Sequence, residues 1–334
     1  MKTVALGNTG EEVSALCLGT MFFGSKNDRE TSWKLLDRYV EAGGTFLDTA
    51  NAYARWIKGC QGGESETVLA EWFAERGHRG SLFIATKVGF PTPVDGLDFG
   101  LSAAQIEKAC EASLKRMGIE TIHLYYAHAD DRTTPMEERL EAFSKLVQAG
   151  KVRFIGASNH LDWRLEEARC LAERNGWPEF CCVQQRYSYV RPQAGAIYDP
   201  HVVVNDEHLD YCRNRGITLL AYSPLLGGAY GREDRSFPEQ YAGPDTDLRL
   251  ETLRTVAEEL GATPNQVVLA WFLQSEPPVI PLVAASRLEH LDENLASLDV
   301  KLSDDQLTRL SQAGNRPALH PSRQRRLPAG AKEG

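Results

Sequence analysis

The sequence lacks any long hydrophobic run and any excess of positive charge. No stretch reaches the roughly 18 consecutive apolar residues that suggest a membrane span, and the first residues, MKTVALGNTGEEV, contain no apolar segment of signal-peptide length. Lys and Arg number 37 against 46 Asp and Glu, a net charge of -9. Nucleic acid and anionic membranes are poor partners for such a chain. We therefore expect a cytoplasmic protein whose partner is a small molecule, and leave its oligomeric state open.

Cysteine patterns and nucleotide-binding motifs are also missing. The seven cysteines form no Cys-x-x-Cys pair and mostly lie in apolar segments, as reduced core cysteines do. No Gly-x-Gly-x-x-Gly follows a predicted strand, and no P-loop is present. These absences argue against a metal site, a disulfide framework and a Rossmann-type dinucleotide site.

What the sequence does have is an alternation of short apolar runs with amphipathic helices, which is typical of βα units. The predicted strands are residues 14–19, 45–47, 82–85, 122–126, 153–157, 180–184, 217–222 and 277–283. Eight such α/β units predict a (β/α)₈ TIM barrel, with a doubly wound open sheet as the alternative. We assign residues 1–314 to this single barrel and the basic, Pro-rich residues 315–334 to a loosely ordered tail.

Further local signals refine this outline. Residues 4–14, VALGNTGEEVS, predict a β-hairpin that closes the lower end of the barrel. Two long connections, 54–63 after the second strand and 225–245 after the seventh, are expected to be functional loops. Capping-box patterns at Ser102, Thr134 and Thr263 predict where three helices begin.

Polar side chains at the ends of successive strands predict an active site, because the catalytic groups of such barrels lie at the C-terminal face. Asp48, Lys87 and His128 end the second, third and fourth strands, and Tyr53 follows Asp48 closely. The Lys87 ammonium would favour the phenolate of Tyr53, and Asp48 would neutralise the lysine. His128 could orient a substrate oxygen. Such a site supplies a proton but no electrons, so it needs a hydride donor.

Later strand ends could hold a dinucleotide. Ser158, Asn159 and Gln184 could bond a carboxamide, Tyr222 could stack on a flat ring, and the loop at Gly227 could approach a pyrophosphate. Taken singly, a strand-end Asp is more often a helix cap, and a strand-end Lys or His is often only a satisfied polar group. Four compatible residues on one face favour function. The aromatic residues after strand one and in the 54–63 loop suit either core or pocket walls.

Seven segments carry a resemblance to a known family: GTFLDTANAY (44–53), ATKVG (85–89), HLYYAHADD (123–131), GKVRFIGASNH (150–160), VQQRYS (183–188), LLAYSPLLGG (219–228) and VAASRLEHLDENLAS (283–297). With these, the chain resembles the aldo-keto reductases from about Val4 to Leu310. The resemblance implies a (β/α)₈ barrel that binds NADPH, or NADH, in extended form at the strand ends.

The resemblance also implies roles for single residues. Its catalytic tetrad falls on Asp48, Tyr53, Lys87 and His128, with Tyr53 as general acid tuned by the Lys87–Asp48 pair. The implied cofactor contacts are Thr20, Met21, Asp48, Ser158, Asn159, Gln184, Tyr222, Ser223, Pro224, Leu225, Gly227, Ser286, Arg287, His290, Glu293 and Asn294. The implied substrate contacts are Phe22, Tyr53, Trp56 and His128.

Two departures from the family pattern bear on specificity. Ala284-Ala285-Ser286 stands where many relatives carry Gly-Ala-Arg, so the arginine for a 2′-phosphate is displaced to Arg287 or absent. We favour NADPH and leave NADH open. The loop after Tyr53 is longer than the common form, so substrate preference is not carried over.

The main hypothesis is an NAD(P)H-dependent oxidoreductase that reversibly reduces an aldehyde or ketone of sugar or natural-product type. One alternative is a nucleotide-binding regulatory subunit of the same fold with little turnover. Another is a metal-dependent barrel hydrolase using His128, Asp130 and Asp131, although metal ligands at other strand ends are lacking.

Overall fold

Eight parallel strands close into a barrel, preceded by an antiparallel hairpin. The computed structural model describes residues 1–232 and 234–315, except for the side chains of residues 78 and 79. The hairpin is β1 (Thr3–Ala5) and β2 (Glu12–Ser14), and the barrel strands are β3 (Cys17–Gly19), β4 (Phe46–Asp48), β5 (Phe83–Val88), β6 (Ile122–Ala127), β7 (Val152–Ser158), β8 (Phe180–Arg186), β9 (Thr218–Tyr222) and β10 (Val279–Val283). Strand β10 pairs with both β9 and β3. The predicted (β/α)₈ barrel is confirmed, and the open sheet is wrong.

Helices follow the strands along the chain. They are α1 (Arg29–Glu41), α2 (Glu64–Arg76), α3 (Ala103–Met117), α4 (Met136–Gln148), α5 (Asp162–Asn175), α6 (Asp206–Arg215), α7 (Pro244–Leu260), α8 (Pro264–Gln274), α9 (Leu288–Ala296) and α10 (Asp304–Gln312). Among the described helices, none combines the length and hydrophobicity that a bilayer span requires. Most of the tail proposed for residues 315–334 lies outside the described residues.

The predicted capping boxes are confirmed at two of three helix starts. Ser102 and Thr263 each accept a hydrogen bond from the backbone N–H three residues later, and the glutamine at that position bonds back. The prediction at Thr134 is wrong. Its hydroxyl donates instead to Oδ2 of Asp131 at 2.6 Å, and α4 begins after Pro135 without a side-chain cap. The N-cap position falls on Pro135, one residue later than predicted, so Thr134 lies outside the helix.

The hairpin closes the end of the barrel opposite the strands' C-termini. Its Leu6 and Val13 are fully buried and join the apolar cluster inside the barrel. The backbone N–H of Gly7 donates to Oγ1 of Thr218, the first residue of β9, at 2.6 Å. Gly7 has φ +53°, and a Cβ there would collide with the carbonyl oxygen of Cys181 near the start of β8. A glycine is therefore required where the hairpin meets the strands.

Three long connections lie at the C-terminal ends of strands. Two, after β4 and β9, contain the loops predicted from the sequence. The third, residues 187–205 after β8, was not singled out from the sequence. It is tied to the end of β8, where Arg186 donates its N–H to the carbonyl of Val202 and accepts from the N–H of Val204, both at 3.0 Å. This loop brings Pro200 and His201 over the mouth of the barrel.

Candidate active site

A buried hydrogen-bonded group formed by Lys87, Asp48 and Tyr53 lies at the C-terminal end of the barrel. The Lys87 ammonium donates to Oδ1 of Asp48, to the carbonyl of Thr49 at 2.7 Å and to the hydroxyl of Tyr53 at 2.7 Å. The Tyr53 hydroxyl in turn donates to Oδ1 of Asp48 at 3.1 Å. All three ammonium protons therefore have oxygen partners, which satisfies a lysine that is fully shielded from solvent.

Strand register brings these side chains together. Asp48 ends β4 directly opposite Ala85 of β5, and Lys87 lies two residues beyond Ala85 on the same face. A tight turn after β4 then returns Tyr53 to the strand ends, with its N–H bonded to the carbonyl of Ala50 at 3.2 Å. From the far side of the barrel, Nε2 of Gln184 in β8 donates to Oδ2 of Asp48 at 2.8 Å.

Electrostatics makes Tyr53 a protonated phenol. Burial, followed by the charge of Asp48, raises the pKa of Tyr53 well above its ordinary value. The tuning of Tyr53 by Lys87 stays a prediction: the ammonium donates to this hydroxyl, while burial and the carboxylate set the direction of the pKa shift. Burial also lowers the pKa of Lys87, while Asp48 opposes that change. At neutral pH, Tyr53 is consequently a proton donor.

His128 follows β6 and faces Tyr53. Its backbone N–H donates to the carbonyl of Val88 at 2.8 Å, which places the ring beside the end of β5. The imidazole packs edge-on against Phe90, with ring centroids 4.7 Å apart, and its centroid lies 6.0 Å from that of Tyr53. Burial and then Lys87 lower the pKa of His128 well below its ordinary value. The ring is therefore neutral and has one N–H to donate.

A pocket of about 450 Å³ opens above Tyr53 and His128. Its walls come from the strand ends and from the loops after β4, β5, β8 and β9. The lining residues are Gly19, Met21, Ala52, Tyr53, Arg55, Trp56, Phe90, His128, Ser158, Asn159, Gln184, Arg186, Pro200, His201, Tyr222, Ser223, Leu282 and Ala284. Asp48 and Lys87 are not among them and lie behind Tyr53. Of the predicted substrate contacts, Trp56 lines the pocket and Phe22 does not.

The residues predicted to hold a carboxamide converge on this pocket. Asn159, with φ +59°, donates from Nδ2 to the carbonyl of His128 at 2.8 Å and to Oγ of Ser158 at 3.1 Å. Its Oδ1 accepts the Tyr222 hydroxyl at 2.8 Å, which orients that ring along the pocket wall. Together with Gln184, this set of amides and a hydroxyl suits a nicotinamide carboxamide, and the Tyr222 ring suits a flat heterocycle.

The predicted pyrophosphate loop has an unusual backbone. Ser223, Leu226, Gly227 and Gly228 all have positive φ, between +48° and +86°. Such turns expose backbone N–H groups, which can bind an anion. The guanidinium of Arg235 lies against Gly227 and adds a positive charge to this loop. A Cβ built on Gly227 would lie 2.8 Å from its Nη1. The loop therefore fits a phosphate in both shape and charge.

The predicted adenosine contacts lie around the start of α9. Nη2 of Arg287 and Nε2 of His290 are 2.7 Å apart. Burial, followed by the charges of Arg287 and Arg232, lowers the pKa of His290. Glu293 is already engaged, because its Oε1 accepts the Thr263 hydroxyl at 2.7 Å. The neighbouring cations favour a negatively charged ligand here.

The remaining predicted cofactor contacts are more remote from the pocket. Thr20 is fully buried, and its hydroxyl donates to the carbonyl of the last residue of β4 at 3.0 Å. Pro224 and Asn294 are buried, Leu225 packs partly into the outer core, and Ser286 is exposed. Thr20 thus supports β4, the strand that ends in Asp48. The other four residues belong to the segments around the mouth of the barrel.

The acidic residues after His128 are engaged elsewhere. Asp130 bonds the guanidinium groups of Arg139 and Arg164, and Asp131 accepts from the backbone N–H of Leu101 at 2.8 Å and from nearby threonines. Across the part of the chain that the structure describes, no group of three or more His, Cys, Asp and Glu side chains is arranged to hold a metal ion. These contacts disfavour the metal-dependent hydrolase.

Nine residues that line the pocket were not among the predicted site residues. Four of them, Gly19, Ala52, Leu282 and Ala284, are small or aliphatic, and the other five have aromatic, cationic or loop-borne side chains. Arg186 lies two residues after Gln184, on the same face of β8, so strand alternation could have identified it. Phe90 directly follows the quoted ATKVG segment but lies beyond the end of β5. Arg55 lies in a loop that was singled out. Pro200 and His201 belong to the 187–205 loop, which has no periodic signal.

The closed barrel and the buried Lys-Asp-Tyr group beside a neutral histidine define a barrel oxidoreductase with a nicotinamide-type site. A family model described as the Aldo/keto reductase family matches residues 15–315. The chain belongs to this family, as the sequence motifs indicated, and is an NAD(P)H-dependent oxidoreductase.

Several relatives are similar to this protein over most of its sequence. An uncharacterized oxidoreductase of Bacillus subtilis strain 168, YrpG, is 34% identical over 93% of this chain and 95% of its own length. Norsolorinic acid reductase stcV of Emericella nidulans is 34% identical over 89% of this chain and 77% of its own. The Schizosaccharomyces pombe aldo-keto reductase yakc [NADP(+)] is 32% identical over 89% and 86%.

A solved structure has the same fold. The crystal structure of the thermostable aldo-keto reductase Tm1743, in complex with the inhibitor epalrestat, matches with a TM-score of 0.73 and 30% identity. The match covers 93% of this chain and 99% of the other. The barrel fold is therefore that of this family.

Proposed function

We propose that this protein reversibly reduces an aldehyde or ketone with NADPH, and that Tyr53 is the general acid. The observation that carries the proposal is the position of the Tyr53 hydroxyl. It belongs to a pocket-lining residue, is kept protonated by burial, and already accepts a hydrogen bond from Lys87 at 2.7 Å. A sugar or natural-product carbonyl fits this proposal, in keeping with relatives named as norsolorinic acid reductases.

The residues around Tyr53 explain how its proton could be transferred. As the proton leaves, negative charge develops on an oxygen to which the Lys87 ammonium already donates, so no group has to move to stabilise it. Asp48 favours the charged form of that lysine. The neutral His128 donates its N–H to the carbonyl oxygen and fixes its direction. The nicotinamide, when bound, supplies the hydride.

NADPH is the proposed cofactor because of the charges around α9. In the described part of the chain, Arg287 forms no ion pair with a carboxylate, and it lies against the His290 ring. A guanidinium in this setting suits a 2′-phosphate, which NADH lacks. A relative named for NADP(+) supports the same choice.

The test is the Tyr53→Phe variant, which removes only the hydroxyl. We expect kcat/KM for aldehydes with NADPH to fall by a factor of about 10² to 10⁴, the range for loss of general acid catalysis. NADPH affinity, measured by calorimetry, should survive. Tyr211→Phe is the matched control, since that hydroxyl bonds Glu166 at 3.2 Å, away from the pocket, and its loss should leave turnover intact.

Two outcomes would contradict the proposal. Near wild-type turnover by Tyr53→Phe would remove Tyr53 as the acid. Tight binding of NADPH or NADH, without oxidation of either in the presence of a broad panel of carbonyl compounds, would favour the nucleotide-binding regulatory role.

A further inference from the structure

Two arginines line the mouth of the pocket without an acidic partner. Arg55 lies in the loop after β4, and Arg186 ends β8. Within the residues that the structure describes, neither guanidinium forms an ion pair, and no Asp or Glu lines the pocket. Both guanidinium groups contact aromatic residues instead. Arg55 lies over the ring of Phe90, 5.6 Å from its centroid. Arg186 lies over the ring of Tyr198, 4.8 Å from its centroid, and its Nε donates to the hydroxyl of Tyr241 at 3.1 Å.

The two arginines border the same pocket from opposite sides of the barrel opening. In the strand order of the barrel, β4 and β8 are separated by three strands in either direction, so their ends face each other across the opening. The rings of Phe90 and His201, 6.4 Å apart, lie between the arginines. Arg55 covers the first ring, and the charge of Arg186 acts on the second. A bound molecule above Tyr53 would meet both cations.

Among the described residues, no carboxylate that lines the pocket neutralises this charge. Lys87 is paired with Asp48 below the pocket floor. Asp199 is exposed and does not line the pocket, although its charge reaches His201. The chain as a whole carries -9, so these cations are a local feature in an acidic protein. A guanidinium that no protein carboxylate neutralises is well suited to bind a carboxylate of a ligand, often through two parallel hydrogen bonds.

We propose that the preferred substrate is an anionic carbonyl compound, with a flat body between the aromatic walls and a carboxylate bound at the pocket mouth by Arg55 or Arg186. This inference rests on the proposed reductase function. The carboxylate does not react: the carbonyl carbon accepts a hydride from reduced nicotinamide, the oxygen accepts the Tyr53 proton, and the products are an alcohol and oxidised nicotinamide. The pocket of about 450 Å³ is ample for a ring bearing both groups.

The kinetic test compares two aldehydes of similar shape. 4-Carboxybenzaldehyde is an anion at neutral pH, and methyl 4-formylbenzoate is neutral. We expect the wild-type protein to prefer the anion, and Arg55→Met or Arg186→Met to lower kcat/KM for it by about tenfold, as for a partly exposed charged hydrogen bond. The neutral ester should lose far less. Lys58→Met, which removes a cation from an exposed site in the same loop, is the control and should change neither value.

A binding measurement separates this inference from the reductase function. Calorimetry compares benzoate with benzamide, neither of which needs to be reduced, in the presence of NADP⁺. Preference for benzoate that disappears in the arginine variants supports the anion site, even if neither aldehyde is turned over. Equal binding of benzoate and benzamide would overturn it. If Arg186→Met weakens NADPH binding but not benzoate binding, the anion that Arg186 binds is a cofactor phosphate. Arg186 is then not part of the proposed substrate site.

Discussion

The buried Lys87–Asp48 pair allows a sharp test of how the site is held together. Both side chains are fully shielded from water. Replacing Lys87 with Met keeps a side chain of similar length but removes the counter-ion of Asp48. The carboxylate would retain hydrogen bonds from Tyr53 and Gln184, at 3.1 and 2.8 Å, but no balancing charge.

The size of the effect follows from this burial. Removing one partner of a buried ion pair costs about 3–5 kcal/mol, because an uncompensated charge remains in the interior. The double variant Asp48→Asn/Lys87→Met removes that charge as well, so it should regain a large part of the loss. Lys34→Met is the matched control. Its pairing with Glu30 is exposed, and such pairs contribute little to stability.

The assay is denaturant unfolding of the cofactor-free protein at pH 7, followed by circular dichroism. We expect the order of stability to be wild type and Lys34→Met, then the double variant, then Lys87→Met. A Lys87→Met protein as stable as the wild type would refute the reasoning, since Asp48 would then not depend on the ammonium. A double variant no more stable than Lys87→Met would also refute it, because the loss of stability would then come from packing and not from the unpaired charge.

Three further predictions concern separate parts of the molecule. Gly7→Ala should destabilise the protein by about 2 kcal/mol or more in the same unfolding assay, because a Cβ would strike the Cys181 carbonyl and φ is +53°. Burial lowers the pKa of His160 to about 4. As the pH falls, the unfolded chain therefore binds the proton before the folded protein does. The free energy of unfolding should fall between pH 6.5 and 4, by up to about 3 kcal/mol from this residue. His160→Gln should flatten this dependence of stability on pH, and an unchanged slope would contradict the assignment. Arg287→Gln should raise KM for NADPH about tenfold with little change for NADH, as expected for a lost phosphate contact, and equal effects on both would argue against the 2′-phosphate role.

The positions of strand ends and the alternation of side chains along a strand were enough to predict that the main site residues lie close together. Asp48, Lys87 and His128 each stand at or next to the end of a predicted strand, and all parallel strands of a barrel end on one face. Strand alternation then puts Asp48 and Lys87 on the same side of neighbouring strands. The capping boxes at Ser102 and Thr263 could also be predicted from the sequence, because their hydrogen bonds join residues only three positions apart.

Contacts between distant segments could not be read in this way. The cap predicted at Thr134 failed because α4 begins one residue later, with Pro135 at the N-cap position. The 187–205 loop carries no periodic signal, so His201 and its position over the pocket were missed. Arg55 and Arg186 are separated by 130 residues of sequence and face each other only because the barrel closes.

By itself, the sequence determined the alternation of strands and helices, the hairpin at the start of the chain, and the kinds of side chain at each strand end. Those properties depend on local hydrophobic period and turn chemistry. Only the tertiary structure decided that Tyr53 is held as a protonated phenol and that two arginines line the same pocket. Burial sets the first and barrel closure the second, and both arise from contacts between residues far apart in the chain.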